Sequence, residues 1–170
     1  VENLNEVAAS GEFDIFLSRM KNGRSRLKKA LKAVRADYDV VVLDCPPNIS
    51  MLSENILRAA DAVIVPVIPT TLSQRTFEQL LEFFEESELS ADKIHAFFSM
   101  AQGTKKLHGD MIGEMALSHP GRFMSAQIPF ASDIERMGLT RAPVLATAPN
   151  SAAGKAYRAL FEQIEMRMEE

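Results

Sequence analysis

Asp44 is the residue best placed to do chemistry, because it follows directly after the apolar run 39–43. That run, DVVVL, is β-branched and shows no alternation, which is typical of a strand covered on both faces in a parallel sheet. The end of such a strand lies at the carboxyl edge of the sheet, where open α/β folds bind ligands. Mg²⁺ prefers oxygen ligands, and a strand-end carboxylate commonly holds one of its waters in nucleoside triphosphatases. A turn-capping role for Asp44 stays open as the alternative.

Cys45 and the histidines are the other residues whose types allow catalysis or metal binding. No histidine lies near Cys45 in a diagnostic arrangement, so we interpret Cys45 as a poorly reactive thiol beside a strand end. The histidines have no metal-ligand spacing with one another or with the cysteine, which favours surface or hydrogen-bonded structural roles. They are His95, His108 and His119.

The elements around Asp44 alternate between strand and helix patterns. Strands are expected at 39–43, 62–65 and 94–98, and helices at 24–36, from Thr71 with a capping box to Gln74, at 105–118, and from about Ser151. The last helix is expected to carry its apolar residues on one stripe, formed by Ala153, Tyr157, Leu160, Phe161, Ile164 and Met168. Alternating strands and helices indicate an α/β fold, a mostly parallel, doubly wound sheet flanked by helices.

The composition fits a single domain over residues 1–170, with 46% hydrophobic and 25% charged residues. It excludes a disordered tail and a fibrous repeat. The net charge of −4 argues against an all-over electrostatic grip on nucleic acid. A single cysteine and no signal pattern predict a cytoplasmic protein, and the apolar runs are too short to span a bilayer.

Several segments, in order along the chain, resemble the ParA/MinD family of deviant Walker-type ATPases, which is also grouped with the nucleotide-binding domain of cobyrinic acid a,c-diamide synthase. The strand followed by D-C-P-P at 40–47 matches the family's Walker B and switch II segment. The strand that runs from A-A-D into a proline-bracketed turn matches at 59–69. AQIPFASDIERM at 126–137 resembles the turn after the family's adenine-side strand, and SAAGKAYRALFEQI at 151–164 its closing helix. The resemblance extends over most of the chain.

The resemblance implies a cytoplasmic, P-loop NTPase-like ATPase that forms a homodimer with ATP between the subunits and uses the nucleotide state as a switch. Its cofactors are ATP and Mg²⁺. The resemblance gives Asp44 the Walker B role, in which the carboxylate orients a water on Mg²⁺. It places Pro46 and Pro47 in switch II, which extends to Ser50. The adenine is bordered by two strand ends, through Ser99, Met100, Pro129 and Phe130.

The sequence departs from the family at the phosphate-binding loop, because it contains no K-G-G-x-G-K-[ST] motif. Its one Gly-Lys pair, 154–155, has Pro149 and Ala156 where a P-loop needs Gly and Ser or Thr, so we predict that the pair lies inside the last helix. We therefore expect the carboxyl-terminal portion of such an ATPase, incomplete at the N-terminus and unable to bind ATP alone. In addition, Ser99 stands where the family often has an adenine-reading Asn.

The resemblance also implies a partner protein of the partitioning type and non-specific DNA. Asp133 weakens the DNA prediction, because DNA-binding relatives are commonly basic at that turn. The acidic end 169–170 predicts no membrane attachment through the last helix. Two other functions stay open: a non-catalytic interaction module derived from this fold, and an ATP-dependent amidating enzyme of the cobyrinic acid a,c-diamide synthase type.

Overall fold

The structure, a computed structural model, describes residues 19, 26–33, 36–45 and 50–169. The chain forms two compact units, residues 1–61 and 62–170. The first unit contains helices α1 (Arg26–Leu31) and α2 (Met51–Ala59). A capping box starts α2: Ser53 N–H donates to Ser50 Oγ at 3.4 Å, and Ser50 N–H donates to Ser53 Oγ at 2.6 Å. Helix α1 is shorter than the predicted helix 24–36, since residues 32–33 form a turn, while 24–25 and 34–35 lie outside the described residues.

The predicted strand at 39–43 is wrong. These residues are all described, yet none of them has strand conformation. Val40 and Val42 are 61% and 86% exposed, so the run is not covered on both faces. A strand of a parallel sheet is held by hydrogen bonds to its neighbours, and the described residues of the first unit include no strand that could pair with this run. The apolar composition of the run predicted a strand, but a strand also needs a neighbouring strand to pair with.

The second unit is a parallel sheet with helices between its strands. The strands are β1 (Val63–Val67), β2 (Ile94–Ala101) and β3 (Phe123–Pro129). The helices are α3 (Thr71–Glu86), α4 (Lys106–Ser118), α5 (Ser132–Thr140), α6 (Val144–Thr147) and α7 (Ala152–Glu169), with a short 3₁₀ helix at Ala91–Lys93. The strand order β1-β2-β3, with both pairs parallel, confirms the α/β prediction of a parallel sheet flanked by helices.

The N-cap of helix α3 lies one residue before the predicted cap. Thr70, not Thr71, is the N-cap: it has extended backbone angles, and its Oγ1 accepts a hydrogen bond from Ser73 N–H at 3.3 Å. The partner three residues after the cap is therefore Ser73 and not Gln74. Two adjacent threonines allow the same side-chain chemistry at either position, so the cap could not be assigned from the residue type alone.

The core of the second unit lies on both faces of the sheet. On one face Leu160 of α7 packs against β2 and β3, at Phe97, Met124, Ala126 and Ile128. On the other face the rings of Phe98 and Phe123 stack with centroids 4.5 Å apart, and Phe77 of α3 lies 5.1 Å from Phe123. Burying rings of this size supplies much of the stability of a small sheet.

The apolar face of α7 contains only part of the predicted stripe. Ala153 and Leu160 are buried, and Tyr157 and Ile164 pack against the same core. Phe161 and Met168 are 58% and 52% exposed, so their predicted place on this stripe is wrong. The face of α7 that packs on the sheet also includes the small residues Ala156 and Ala159. Phe161 and Met168 lie on the part of the helix that is open to solvent.

Candidate functional site

The structure brings the predicted base-side residues together at the carboxyl ends of β2 and β3. Ala101 pairs with Pro129, and Phe130 N–H donates a hydrogen bond to the Ala101 carbonyl oxygen at 3.0 Å. Ser99 and Met100 therefore end one strand beside the Pro129–Phe130 end of its neighbour. The carboxyl edge of a parallel sheet is where open α/β folds bind nucleotides. We refer to residues 99–101 and 128–130 as the base-side edge.

Two apolar side chains are open to solvent at the base-side edge. Met100 is 42% exposed and Phe130 is 48% exposed. Met100 also has a φ of 54°, in the left-handed region that residues other than glycine seldom adopt. It lies where the register between β2 and β3 shifts, between Phe98 and Ala101. An exposed ring and thioether beside backbone polar groups can contact the face of a planar base.

His108 supports the loop that leaves the base-side edge, a role that the sequence patterns did not predict. It lies in the first turn of α4 and is 6% exposed. Its Nδ1 accepts a hydrogen bond from Gln102 N–H at 3.2 Å, so Nδ1 carries no proton in this arrangement. A tight turn precedes it, in which Lys105 N–H donates to the Gln102 carbonyl oxygen at 3.0 Å. The prediction of a hydrogen-bonded structural histidine is correct for His108, which fixes the first residue after β2.

We expect His108→Ala to lower the free energy of unfolding by about 1–3 kcal/mol, because Gln102 N–H loses its acceptor and buried volume is lost. His108→Asn is the matched control, since Asn Oδ1 takes nearly the position of His Nδ1 and can accept the same bond. Urea unfolding followed by circular dichroism measures the stability, and amide exchange of Gln102 measures the bond. Equal losses in both variants would show that the hydrogen bond contributes nothing.

Asp44 and Cys45 lie in the first unit and are both exposed. Partial desolvation of the sulfur, and then the negative charge of Asp44, raise the pKa of the Cys45 thiol. A raised pKa leaves less thiolate at neutral pH, which agrees with the interpretation of Cys45 as a poorly reactive thiol. Pro46 and Pro47, the predicted switch II residues, lie outside the described residues. Ser50, where the predicted switch II ends, is the N-cap of α2.

The Gly-Lys pair at 154–155 lies in the first turn of α7, as the sequence predicted. Gly154 N–H donates to Ser151 Oγ at 3.0 Å, and Ser151 Oγ donates to the Ala148 carbonyl oxygen at 2.8 Å. Because this amide is bonded within the helix start, it is not directed at a ligand. The Gly-Lys pair at 154–155 therefore does not form a phosphate-binding loop for the triphosphate of ATP. The Asp44 carboxylate fits the oxygen-ligand chemistry of Mg²⁺.

Within 19, 26–33, 36–45 and 50–169, no three side chains of His, Cys, Asp or Glu are grouped so that they could hold a metal ion. None of the helices in that part of the chain combines the length and the apolar character needed to cross a membrane.

Comparisons with known proteins agree with this architecture. The sequence matches the AAA_31 family, described as an AAA domain, over residues 6–95, which is just over half of the chain. It is similar to the cell division protein PomZ of Myxococcus xanthus, with 28% identity over 91% of this chain and 50% of that protein. It is also similar to the sporulation initiation inhibitor protein Soj of Bacillus subtilis, with 26% identity over 96% of this chain and 68% of that protein.

A third relative is the virulence plasmid ParA family protein pGP5-D of Chlamydia psittaci, with 25% identity over 99% of this chain and 66% of that protein. The chain spans about half to two thirds of the length of these curated relatives. Two of the three align with nearly the whole of it. Through its AAA_31 domain and these relatives, the chain belongs to the ParA/MinD family of ATPases.

Proposed function

We propose that the chain is the carboxyl-terminal part of an Mg²⁺-dependent ATPase that dimerises when it binds ATP and acts in partitioning or intracellular positioning. The observation that carries the proposal is the pairing of Ala101 with Pro129, which joins two strand ends at the sheet edge where nucleotides bind. The relatives support the biological role, since their names refer to cell division, sporulation and a virulence plasmid. We also propose one domain over residues 1–170, because the family match at 6–95 runs across both units.

Asp44 has the Walker B role in this proposal. When bound, Mg²⁺ would neutralise negative charge on the phosphates. The Asp44 carboxylate, exposed at the end of the 39–43 run, would be the group that holds and orients a water of the hydrated ion. Pro46 and Pro47 form switch II, where a ring-fixed φ and two missing N–H donors restrict the turn after Asp44.

The base-side edge receives the adenine in this proposal. Met100 and Phe130 provide apolar contact area, and the backbone around Ser99 and Pro129 provides polar groups beside it. His108 holds the departing loop in place behind Gln102. No phosphate-binding step is assigned to this chain, because it has no P-loop sequence and the Gly154 amide is bonded to Ser151.

DNA and membranes are not part of the proposed function. The first turn of α5 carries Asp133 and Glu135, which place negative charge directly after the base-side edge. Phosphate contacts need Lys or Arg at the surface that meets DNA. The proposed partners are a second copy of the protein and a partner protein of the partitioning type. A soluble, cytoplasmic location completes the proposal, and it rests on the family and the composition.

The experiment that tests the function compares the full-length protein with the 170-residue chain. We expect the full-length protein to be dimeric with ATP and Mg²⁺ and monomeric with ADP by light scattering, and to release phosphate. We expect calorimetry to detect no ATP binding by the 170-residue chain alone. If the oligomeric state is the same with ATP and with ADP, and no phosphate is released, the results would support an interaction module instead. An amidated product formed from glutamine would support the cobyrinic acid a,c-diamide synthase type.

A further inference from the structure

Gln163 of α7 bonds to two neighbouring residues of β3. Ala126 N–H donates to Gln163 Oε1 at 3.1 Å, and Gln163 Nε2 donates to Ser125 Oγ at 2.9 Å. One turn further along α7, Arg167 donates to the carbonyl oxygen of Gly121 at 3.2 Å, just before β3 begins. The helix therefore holds the first half of β3 by hydrogen bonds as well as by apolar packing.

Both of these contacts fall where the ladder between β2 and β3 is irregular. The ladder begins with Ala96 opposite Phe123, and its next pair is Phe98 with Gln127. Between these pairs β3 has three residues, 124–126, whereas β2 has one. Additional residues of this kind form a bulge, which interrupts the ladder. We refer to residues 124–126 as the β3 bulge, and it sets every later residue of β3 two positions back relative to β2.

The burial of apolar side chains does not by itself select this register. The side chains of β3 in the core beneath α7 occupy every second position, at Met124, Ala126 and Ile128. A slip by one residue would turn them to the other face of the sheet, whereas a slip by two would keep them on the same face. A ladder without the β3 bulge differs by two: it would place Phe98 opposite Ser125 and not opposite Gln127. The apolar alternation permits both registers, so the choice between them depends on other contacts.

The β3 bulge decides which residues lie at the base-side edge. In the observed register Pro129 lies opposite Ala101, and Phe130 N–H donates to the Ala101 carbonyl oxygen at 3.0 Å. Without the bulge, and with the rest of the ladder unchanged, β3 would extend two residues further, about 6–7 Å. Pro129 and Phe130 would then project past Ala101, and Phe130 N–H would lose this acceptor.

We propose that Gln163 is a positioning residue for the base-side edge: it holds the β3 bulge and thereby places Pro129 and Phe130 beside Ala101. The inference rests on the proposed function, because the position of this edge affects nucleotide binding only if the adenine lies there. Gln163 acts through the register of β3 and makes no contact with the nucleotide itself in this proposal.

The two hydrogen bonds of Gln163 are specific to the bulged register. A bulge leaves backbone groups without strand partners, and Gln163 Oε1 supplies the acceptor for one of them, Ala126 N–H. Gln163 Nε2 holds the adjacent residue through Ser125 Oγ. A slip by two residues would move Ser125 and Ala126 along β2 and away from position 163, so it would break both bonds.

The first measurement follows amide hydrogen exchange by NMR and needs no nucleotide. Gln163→Leu keeps much of the side-chain volume and removes both hydrogen bonds. We expect the Phe130 amide to exchange about tenfold faster in this variant, as the loss of one hydrogen bond predicts. Phe130 N–H has its own acceptor in Ala101, so its exchange reports the register and not the Gln163 bonds themselves.

Ala96 N–H is the internal control for this measurement. It donates to the Arg122 carbonyl oxygen at 2.8 Å, ahead of the β3 bulge, and we expect its exchange to stay unchanged. A general loss of stability would accelerate Ala96 and Phe130 alike, whereas a change of register accelerates Phe130 alone of the two.

Two further variants separate the hydrogen bonds from the leucine side chain. Gln163→Glu is the conservative variant, because its carboxylate can accept from both Ala126 N–H and Ser125 O–H. We expect it to restore wild-type exchange at Phe130. Glu162→Leu adds the same leucine at an exposed neighbouring position of α7, and we expect wild-type exchange there too.

The second measurement is ATP hydrolysis by the full-length protein. We expect Gln163→Leu to raise the KM for ATP about tenfold and to keep kcat within about twofold, because contacts to the base contribute to binding and not to the chemical step. Gln163→Glu is expected to restore the KM. Faster exchange at Phe130 with an unchanged KM would support the role of Gln163 in the register and would contradict the proposed adenine site.

Three outcomes of the exchange measurement would overturn the role of Gln163. They are unchanged exchange at Phe130 in Gln163→Leu, equal acceleration at Ala96 and Phe130, and exchange in Gln163→Glu as fast as in Gln163→Leu. Should circular dichroism show that Gln163→Leu is unfolded, Ser125→Ala removes one of the two bonds at an exposed residue. It is expected to accelerate Phe130 exchange about threefold, and no acceleration would equally contradict the proposal.

Discussion

Replacing Gly154 with alanine is expected to lower the free energy of unfolding by about 3 kcal/mol. A Cβ built on Gly154 would meet the carbonyl oxygen of Ala148 and would lie 2.7 Å from that of Pro149. Both atoms belong to the backbone, so relief requires the 148–151 turn to move away from α7. That turn is tied to the helix by the Ser151 hydroxyl, which bonds to both Ala148 and Gly154. Gly154 is therefore a packing requirement of this turn.

The sign of the effect is the informative part of this prediction. In most helix interiors a Gly→Ala change stabilises a protein by about 0.5–1 kcal/mol, because alanine has less backbone entropy to lose. Gly113→Ala, in α4, is the matched control, since nothing lies within 4 Å of a Cβ built there. Urea unfolding followed by circular dichroism should give opposite signs for the two variants. A Gly154→Ala variant as stable as the wild type would contradict the close packing of Gly154 on the turn.

Asp44→Asn in the full-length protein is expected to lower ATP turnover on the order of 100-fold, as the loss of a group that orients a metal-bound water does elsewhere. The substitution keeps the size of the side chain and removes its charge, so it weakens the hold on the hydrated ion. The readout is phosphate release at increasing Mg²⁺, and we expect the variant to need more Mg²⁺ for half-maximal rate. This shift separates a metal-positioning role from general loss of fold.

Asp39→Asn is the control for Asp44→Asn, because Asp39 is an exposed aspartate at the other end of the same run. It removes the same charge from the same segment, and we expect turnover close to that of the wild type. Unchanged turnover in Asp44→Asn would make the Walker B assignment wrong. Equal losses in both variants would mean that the charge of the whole segment matters and not the position of Asp44.

Local sequence patterns correctly predicted the strands and helices whose own residues show a clear apolar run or helical spacing. The apolar runs at β1 and β2 and the helical spacing in α3, α4 and α7 were sufficient to locate these elements within a few residues. The run 39–43 has an equally clear pattern but no strand, because pairing depends on a neighbour and not on the run itself. Phe161 and Met168 were misplaced for a related reason: how wide a helix stripe is buried depends on what packs against it.

The base-side edge was predicted only through the resemblance to a family. Nothing local in the sequence indicates that Met100 and Phe130 end neighbouring strands, since the pairing of β2 with β3 is a tertiary event. The same holds for Gln163, whose partner Ala126 lies 37 residues away along the chain. His108 had a weak signal, because a histidine in the first turn of a helix lies near the loop that precedes it. Side-chain contacts of this kind become visible once the strands and helices are placed.

The position of α7 after β3 in the chain has a consequence for synthesis on the ribosome. Strands β2 and β3 leave the ribosome before α7, whose first residue is Ala152. During that interval the nascent chain exposes the face of Met124, Ala126 and Ile128, and Gln163 has not yet been added. This apolar face stays open to solvent until Leu160 of α7 covers it. We therefore expect aggregation of the nascent chain to be most frequent between translation of β3 and release of α7.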